Sequence, residues 1–117
     1  MRSPAEPAKW VGVVVFLTAL AIFISSTLFA KEVAPVNHII VIQGMAFVPQ
    51  TLHLVSGDSV TWINRDILMH GAKATAQGDV WQSKDLLPKE SWTKTFTRGG
   101  TYVCPYHPTM TGELIID

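Results

Sequence analysis

Cysteine occurs once in this sequence, at Cys104, so no disulfide can form within the chain. Charge is scarce as well: 15% of the residues are charged, and nine basic against nine acidic side chains leave a formal net charge of zero. That balance excludes the basic face on which nucleic-acid binders depend, and no one-signed patch is present to steer a partner from a distance. Three catalytic signatures are missing: paired carboxylates for acid–base work, a strained nucleophile turn and a phosphate-cradling glycine loop. Gly57-Asp58 and Gly99-Gly100-Thr101 read as turn chemistry instead. There are no internal repeats and no low-complexity tract, and with those signatures missing the chain is not expected to be an enzyme.

What the sequence does have is a strongly local apolar surplus. Residues 10–30, WVGVVVFLTALAIFISSTLFA, carry no charge and are bracketed by Lys9 and Lys31. As a helix this run reaches across roughly 30 Å, the thickness of one bilayer core. A cleaved signal peptide is the competing reading, but its apolar stretch is shorter and its cut needs small residues, whereas a cut after Ala30 puts Leu28 at −3. The run is therefore expected to be a single transmembrane helix. Arg2 and Lys9 bias residues 1–9 to the cytoplasm, which places residues 31–117 in the periplasm or an equivalent outer space. A lone cysteine there is a leftover, an intermolecular bridge or a metal ligand.

Past the proline-containing linker 31–37, residues 38–117 read as short strands. HIIVIQ (38–43), TLHLV (51–55), SVTWIN (59–64), ESWTKTF (90–96), TYVC (101–104) and GELIID (112–117) are apolar or alternating and are separated by turn residues. Val60 and Trp62 share one face. The stretches around 65–79 and 81–89 look irregular. About seven strands at this spacing imply an all-β sandwich or barrel of Greek-key type.

The chemistry concentrates in TYVCPYHPTMTG, residues 101–112. Cys104, His107 and Met110 form C-x-x-H-x-x-M, a thiolate, an imidazole and a thioether within one connection between two strands. Soft sulfur combined with imidazole selects copper, and two His with one Cys and a weak Met is the blue-copper set. A second histidine is needed, and His38, His53 and His70 are the candidates. His38 and His53 lie inside expected strands, while His70 follows the Trp62–Asn64 strand in an irregular segment.

The pattern VTWINRD followed by His70, and much later by C-x-x-H-P-x-M-x-G, resembles the cupredoxins, with the short ligand loop of their amicyanin-like members. The framework stretches MAFVPQTLHLVSGDSVTWINRD, LLPKESWTKTF and GTYVC carry the likeness from about Gln43 to Asp117. The resemblance implies a cupredoxin Greek-key β-sandwich with one type 1 copper. It implies that His70, Cys104 and His107 are the equatorial ligands and Met110 the axial one. It also places Asn64, Gly71 and Pro105 close behind the ligands. His107 becomes an electron port, rimmed by Met69, Pro105, Tyr106, Pro108 and Thr109.

Two departures from the cupredoxin pattern stand out. Many relatives place Asn after the first ligand His and Ser or Thr after the Cys, side chains able to tie the two ligand loops together; here these positions are Gly71 and Pro105, so no such clamp is expected. Gly100-Thr101-Tyr102-Val103-Cys104 is also two residues shorter than the G-x-Y-x-Y-x-C of many relatives, which preserves strand parity and lets Cys104 face inward. The function expected is a membrane-anchored carrier passing single electrons between a donor and an acceptor protein, such as a membrane-bound oxidase, reductase or dehydrogenase complex. Copper delivery or storage, and an accessory subunit of a membrane redox complex, are the alternatives. Lys84 and Asp85 are expected away from the copper loops.

Overall fold

A computed structural model describes residues 33–75 and 79–117. The apolar run 10–30 and the segment before it lie outside the described residues, and among the described residues no helix is long and apolar enough to cross a membrane. Eight strands follow one another: β1 (Asn37–Gln43), β2 (Ala46–Val48), β3 (Thr51–Leu54), β4 (Ser59–Asn64), β5 (Lys73–Ala74), β6 (Ser91–Thr95), β7 (Gly100–Val103) and β8 (Thr111–Ile116). They form two four-stranded sheets, ordered β2-β1-β4-β6 and β3-β8-β7-β5. β1 runs parallel to β4 and β3 parallel to β8, while the remaining pairs are antiparallel.

The alternation read from the sequence is the reason the sandwich forms. In β4, Val60, Trp62 and Asn64 are buried and their neighbours only partly so, because successive strand residues point to opposite faces. Ile40 and Ile42 of β1 add to the same inner face, opposite Leu54, Tyr102 and Leu114 of the second sheet. Trp62 is the hub. Trp81, Trp92, Phe96 and Tyr102 have ring centroids 5.5, 5.7, 5.8 and 5.5 Å from it, separations at which tilted and edge-on aromatic pairs attract. Each fully buried large apolar side chain in such a core stabilises the fold by about 1.5–3 kcal/mol.

Six of the strands coincide with the runs read from the sequence. β2 and β5 do not. Ala46–Val48 has only three residues and Lys73–Ala74 only two, too short to show a period, and both exist through pairing with β1 and β7. The inward orientation expected for Cys104 is observed, with no exposure of that side chain.

Candidate metal centre

β4 ends in Asn64, and the chain then turns through 65–70 to His70. Asn64 is fully buried, and its side-chain amide donates to the Leu68 and Leu86 carbonyls at 2.8 Å each while its oxygen accepts the Asp66 N–H at 2.9 Å. One short polar side chain therefore folds the loop onto itself and ties it to the 86–90 segment. His70 is held by backbone pairing with Leu86 on both sides, its N–H donating at 3.0 Å and its carbonyl accepting at 2.8 Å. The imidazole is completely buried.

What aims that imidazole is Asp66. Its carboxylate lies 2.9 Å from His70 Nε2 and accepts the Gly44 and Met45 N–H groups at 2.8 and 3.0 Å. Gly44 and Met45 have φ of 61° and 59° in the tight turn between β1 and β2, so both N–H groups converge on one carboxylate. Burial pushes the Asp66 pKa up, but the Met45 and Gly44 N–H groups and the His70 ring outweigh it and hold the carboxyl below its ordinary value. With Nε2 occupied, Nδ1 is the free donor. A carboxylate behind a ligating imidazole fixes its orientation and increases its basicity.

The second loop joins β7 to β8. Cys104 N–H donates to the Met110 carbonyl at 3.0 Å, His107 N–H to the Cys104 carbonyl at 3.3 Å and Met110 N–H to the His107 carbonyl at 2.9 Å. These nested turns carry Cys104, His107 and Met110 on a single tight connection. Cys104 Sγ is 3.7 Å from Nδ1 of both His70 and His107, and the three ligand atoms lie within 4.8 Å of one another. The imidazole rings sit 5.0 Å apart, inclined at 57°. Cys104 and His70 are shut off from solvent, Met110 is 4% exposed, and His107 is the partly exposed member of the set.

His38 and His53 are elsewhere. His38 Nε2 meets Asp58 at 2.9 Å, and His53 Nδ1 meets Asp117 at 3.2 Å near the surface. Gly71 lies against the second loop: a Cβ there would stand 3.3 Å from Ser83 Oγ and 3.4 Å from Pro105 Cδ. Tyr106, Pro108 and Thr109 are exposed, and Pro105 and Met69 are partly so.

Two residues were missed in the sequence, and one placement is corrected. Asp66 had a legible signal, an acidic residue four positions before a histidine in the same loop. Asp85 is not remote from the copper loops, because it accepts a hydrogen bond from the Tyr106 hydroxyl; the residues are far apart in sequence and no local pattern links them. That bond raises the Tyr106 pKa. Ile67, Leu68, Leu87 and Met45 are also exposed apolar residues on the segments that hold the site, so the apolar surface extends beyond the ligand loop.

A buried imidazole and a buried thiolate beside a partly exposed imidazole, with a buried methionine on the same loop of a β-sandwich, mark a type 1 copper protein of the cupredoxin class. No family model matches the sequence. The chain is 34% identical over 93 residues to amicyanin from Paracoccus denitrificans, covering 75% of this chain and 71% of that one. Amicyanin from Paracoccus versutus is 24% identical over 89 residues, covering 71% and 67%. A solved reduced Cu(I) amicyanin variant at pH 4 superposes with a TM-score of 0.65 at 30% identity, covering 74% of this chain and 87% of that one. The copper-containing nitrite reductase NirK of Thermus scotoductus SA-01 superposes with a TM-score of 0.66 at 25% identity over 77% of this chain but only 24% of the enzyme, so the likeness there is to one part of a larger protein. The chain belongs to the amicyanin family of cupredoxins. It is an electron-transfer protein whose cofactor is one type 1 copper.

Proposed function

We propose that this chain is a membrane-tethered carrier that exchanges single electrons with protein partners on the periplasmic side. In this reading His70, Cys104, His107 and Met110 would hold the copper, and electrons would pass by the ring edge of His107. The observation that carries it is the convergence of three donor atoms within 4.8 Å, of which only the His107 side chain reaches the surface. When bound, the metal supplies a Cu(I)/Cu(II) couple.

The side chains do the rest. Asp66 and Asn64 hold His70 in place before metal arrives, the three loop hydrogen bonds fix Cys104 against His107, and the buried ligands exclude water. A site that does not rearrange between the two copper states exchanges electrons with little reorganisation. The uncharged rim of Tyr106, Pro108, Thr109 and Met69 suits an encounter that buries under ~1,200 Å² and separates quickly. The apolar run 10–30 supports the tether, since its length matches a bilayer core.

The test combines colour and transfer. Cys104→Ser should abolish the blue absorption of the copper-loaded protein while His53→Ala leaves it. Thr109→Lys and Pro108→Glu should keep the spectrum and slow reduction by the native donor several-fold, and native protein should sediment with membranes and retain residues 1–30 by intact mass. Equal colour loss in Cys104→Ser and His53→Ala sinks the ligand assignment. Rim charges without effect on transfer sink the port, and a mature chain beginning near Lys31 sinks the tether.

A further inference from the structure

Gly71 and Pro105 leave this chain without the polar side chains that could join its two ligand loops. The space for such a clamp is also gone, because Gly71 packs directly onto Pro105 and Ser83. Something else must set the distance between the loop bearing His70 and the loop bearing Cys104 and His107.

One side-chain hydrogen bond bridges from the second loop to the scaffold of the first. The Tyr106 hydroxyl donates to Asp85 Oδ1. Asp85 directly precedes Leu86, whose N–H and carbonyl both pair with the backbone of His70. The segment carrying Asp85 is itself pinned: the Asn64 amide holds the Leu86 carbonyl at 2.8 Å, the Ser83 hydroxyl accepts the Ala72 N–H at 2.9 Å and donates to the Lys84 carbonyl at 2.8 Å, and Lys84 pairs with Glu90 at 3.3 Å. Asp85 is therefore a fixed post. Tyr106 lies between Cys104 and His107 in the chain, so a bond at its hydroxyl restrains both ligand positions at once.

We propose that the Tyr106–Asp85 hydrogen bond is a latch that replaces the missing clamp, holding the two ligand loops at the spacing the copper site requires. Both residues are positioning residues, acting through the ligands and touching no metal themselves. The inference rests on the copper-site reading given above. Tyr106 is 45% exposed, beside the partly exposed His107, so the latch lies within the surface that a redox partner would cover. A partner that competes for the Tyr106 hydroxyl would loosen the site, and one that covers it would tighten it.

The experiment measures copper transfer from the loaded full chain to an excess of a Cu(I) chelator. Tyr106→Phe and Asp85→Ala should each accelerate release by about tenfold, at the lower end of what outer partners of metal ligands contribute. The double variant should release no faster than the faster single, because both changes remove the same bond. The Cu(II) hyperfine splitting should shift alike in all three, while the thermal midpoint of the metal-free protein stays put. Release at the unaltered rate in either single variant, or a multiplicative effect in the double, overturns the latch. A chain that takes up no copper overturns the metal centre and the latch together; copper uptake with unchanged release overturns the latch alone.

Discussion

At the scale of single residues, Asp66 carries more of the site than its position suggests. Its carboxylate is shared by two exposed backbone N–H groups and a buried imidazole, so its removal would leave the buried His70 ring without its acceptor, at a cost of about 1–3 kcal/mol. Asp66→Asn should therefore weaken copper binding by about 10–100-fold, as loss of an outer-shell partner does, and should raise the reduction potential, because a neutral amide behind His70 stabilises Cu(II) less than a carboxylate. Competition titration and voltammetry on the copper-loaded protein check both. Unaltered affinity and potential would show that His70 keeps its aim without help.

At the scale of elements, the inner face of the second sheet leaves no margin where β7 meets β8. Tyr102 is paired in register with Gly112 and its ring lies over the place a side chain there would occupy. Tyr102 is itself wedged by Phe47 at 4.7 Å and Trp62 at 5.5 Å, so the ring has nowhere to go. Gly112→Ala should destabilise the domain by about 1–3 kcal/mol, the usual result of overpacking a core. Urea unfolding followed by tryptophan fluorescence measures it, and an unchanged midpoint would mean that the ring moves freely.

The same elements show what a sequence makes visible. β4 and β8 were legible because residues at a period of two declare which face is buried, and β1 because a short apolar run bounded by polar residues reads as a strand. β2 and β5 were not, since strands of two and three residues owe their existence to a partner strand. In the site, Cys104, His107 and Met110 were legible because one loop holds all three, and His70 became legible through the framework around it. Asp66 supports His70 from the same loop, and its place four positions before that histidine was a weak signal, since acidic residues are common in loops. Tyr106–Asp85 was invisible for a different reason: the contact joins two irregular segments and depends on the fold.

At the scale of the whole molecule, the two ends of the sandwich have different jobs. One holds the metal centre. At the other, Asp58 accepts the N–H groups of Val36 at 2.9 Å and Val55 at 3.1 Å and pairs with His38 at 2.9 Å. The Val36 N–H, then the His38 ring, then the Val55 N–H draw its carboxyl down to about 2 from an ordinary 3.8. A lowered carboxyl stabilises the fold above its unfolded-state value and loses that contribution as pH falls through its folded one. Acid should thus weaken the domain progressively between about pH 4 and pH 2, and Asp58→Asn should flatten that part of the profile. Circular dichroism across the range tests this; an unchanged slope in Asp58→Asn would assign the acid sensitivity to other groups.

The clamp at Asp58 also holds the residue before β1 against the start of β4. Val36 accepts the Ser59 N–H at the start of β4, and Asn64, at the far end of that strand, opens the loop to His70. Six strand residues rise about 17–20 Å, so the amino-terminal side of the domain is separated from the metal centre by the length of β4. A domain attached to an electrode, a bead or a dye at Val36 would keep its copper end clear of the attachment, and its electron exchange could then be followed one molecule at a time without the handle standing in the way.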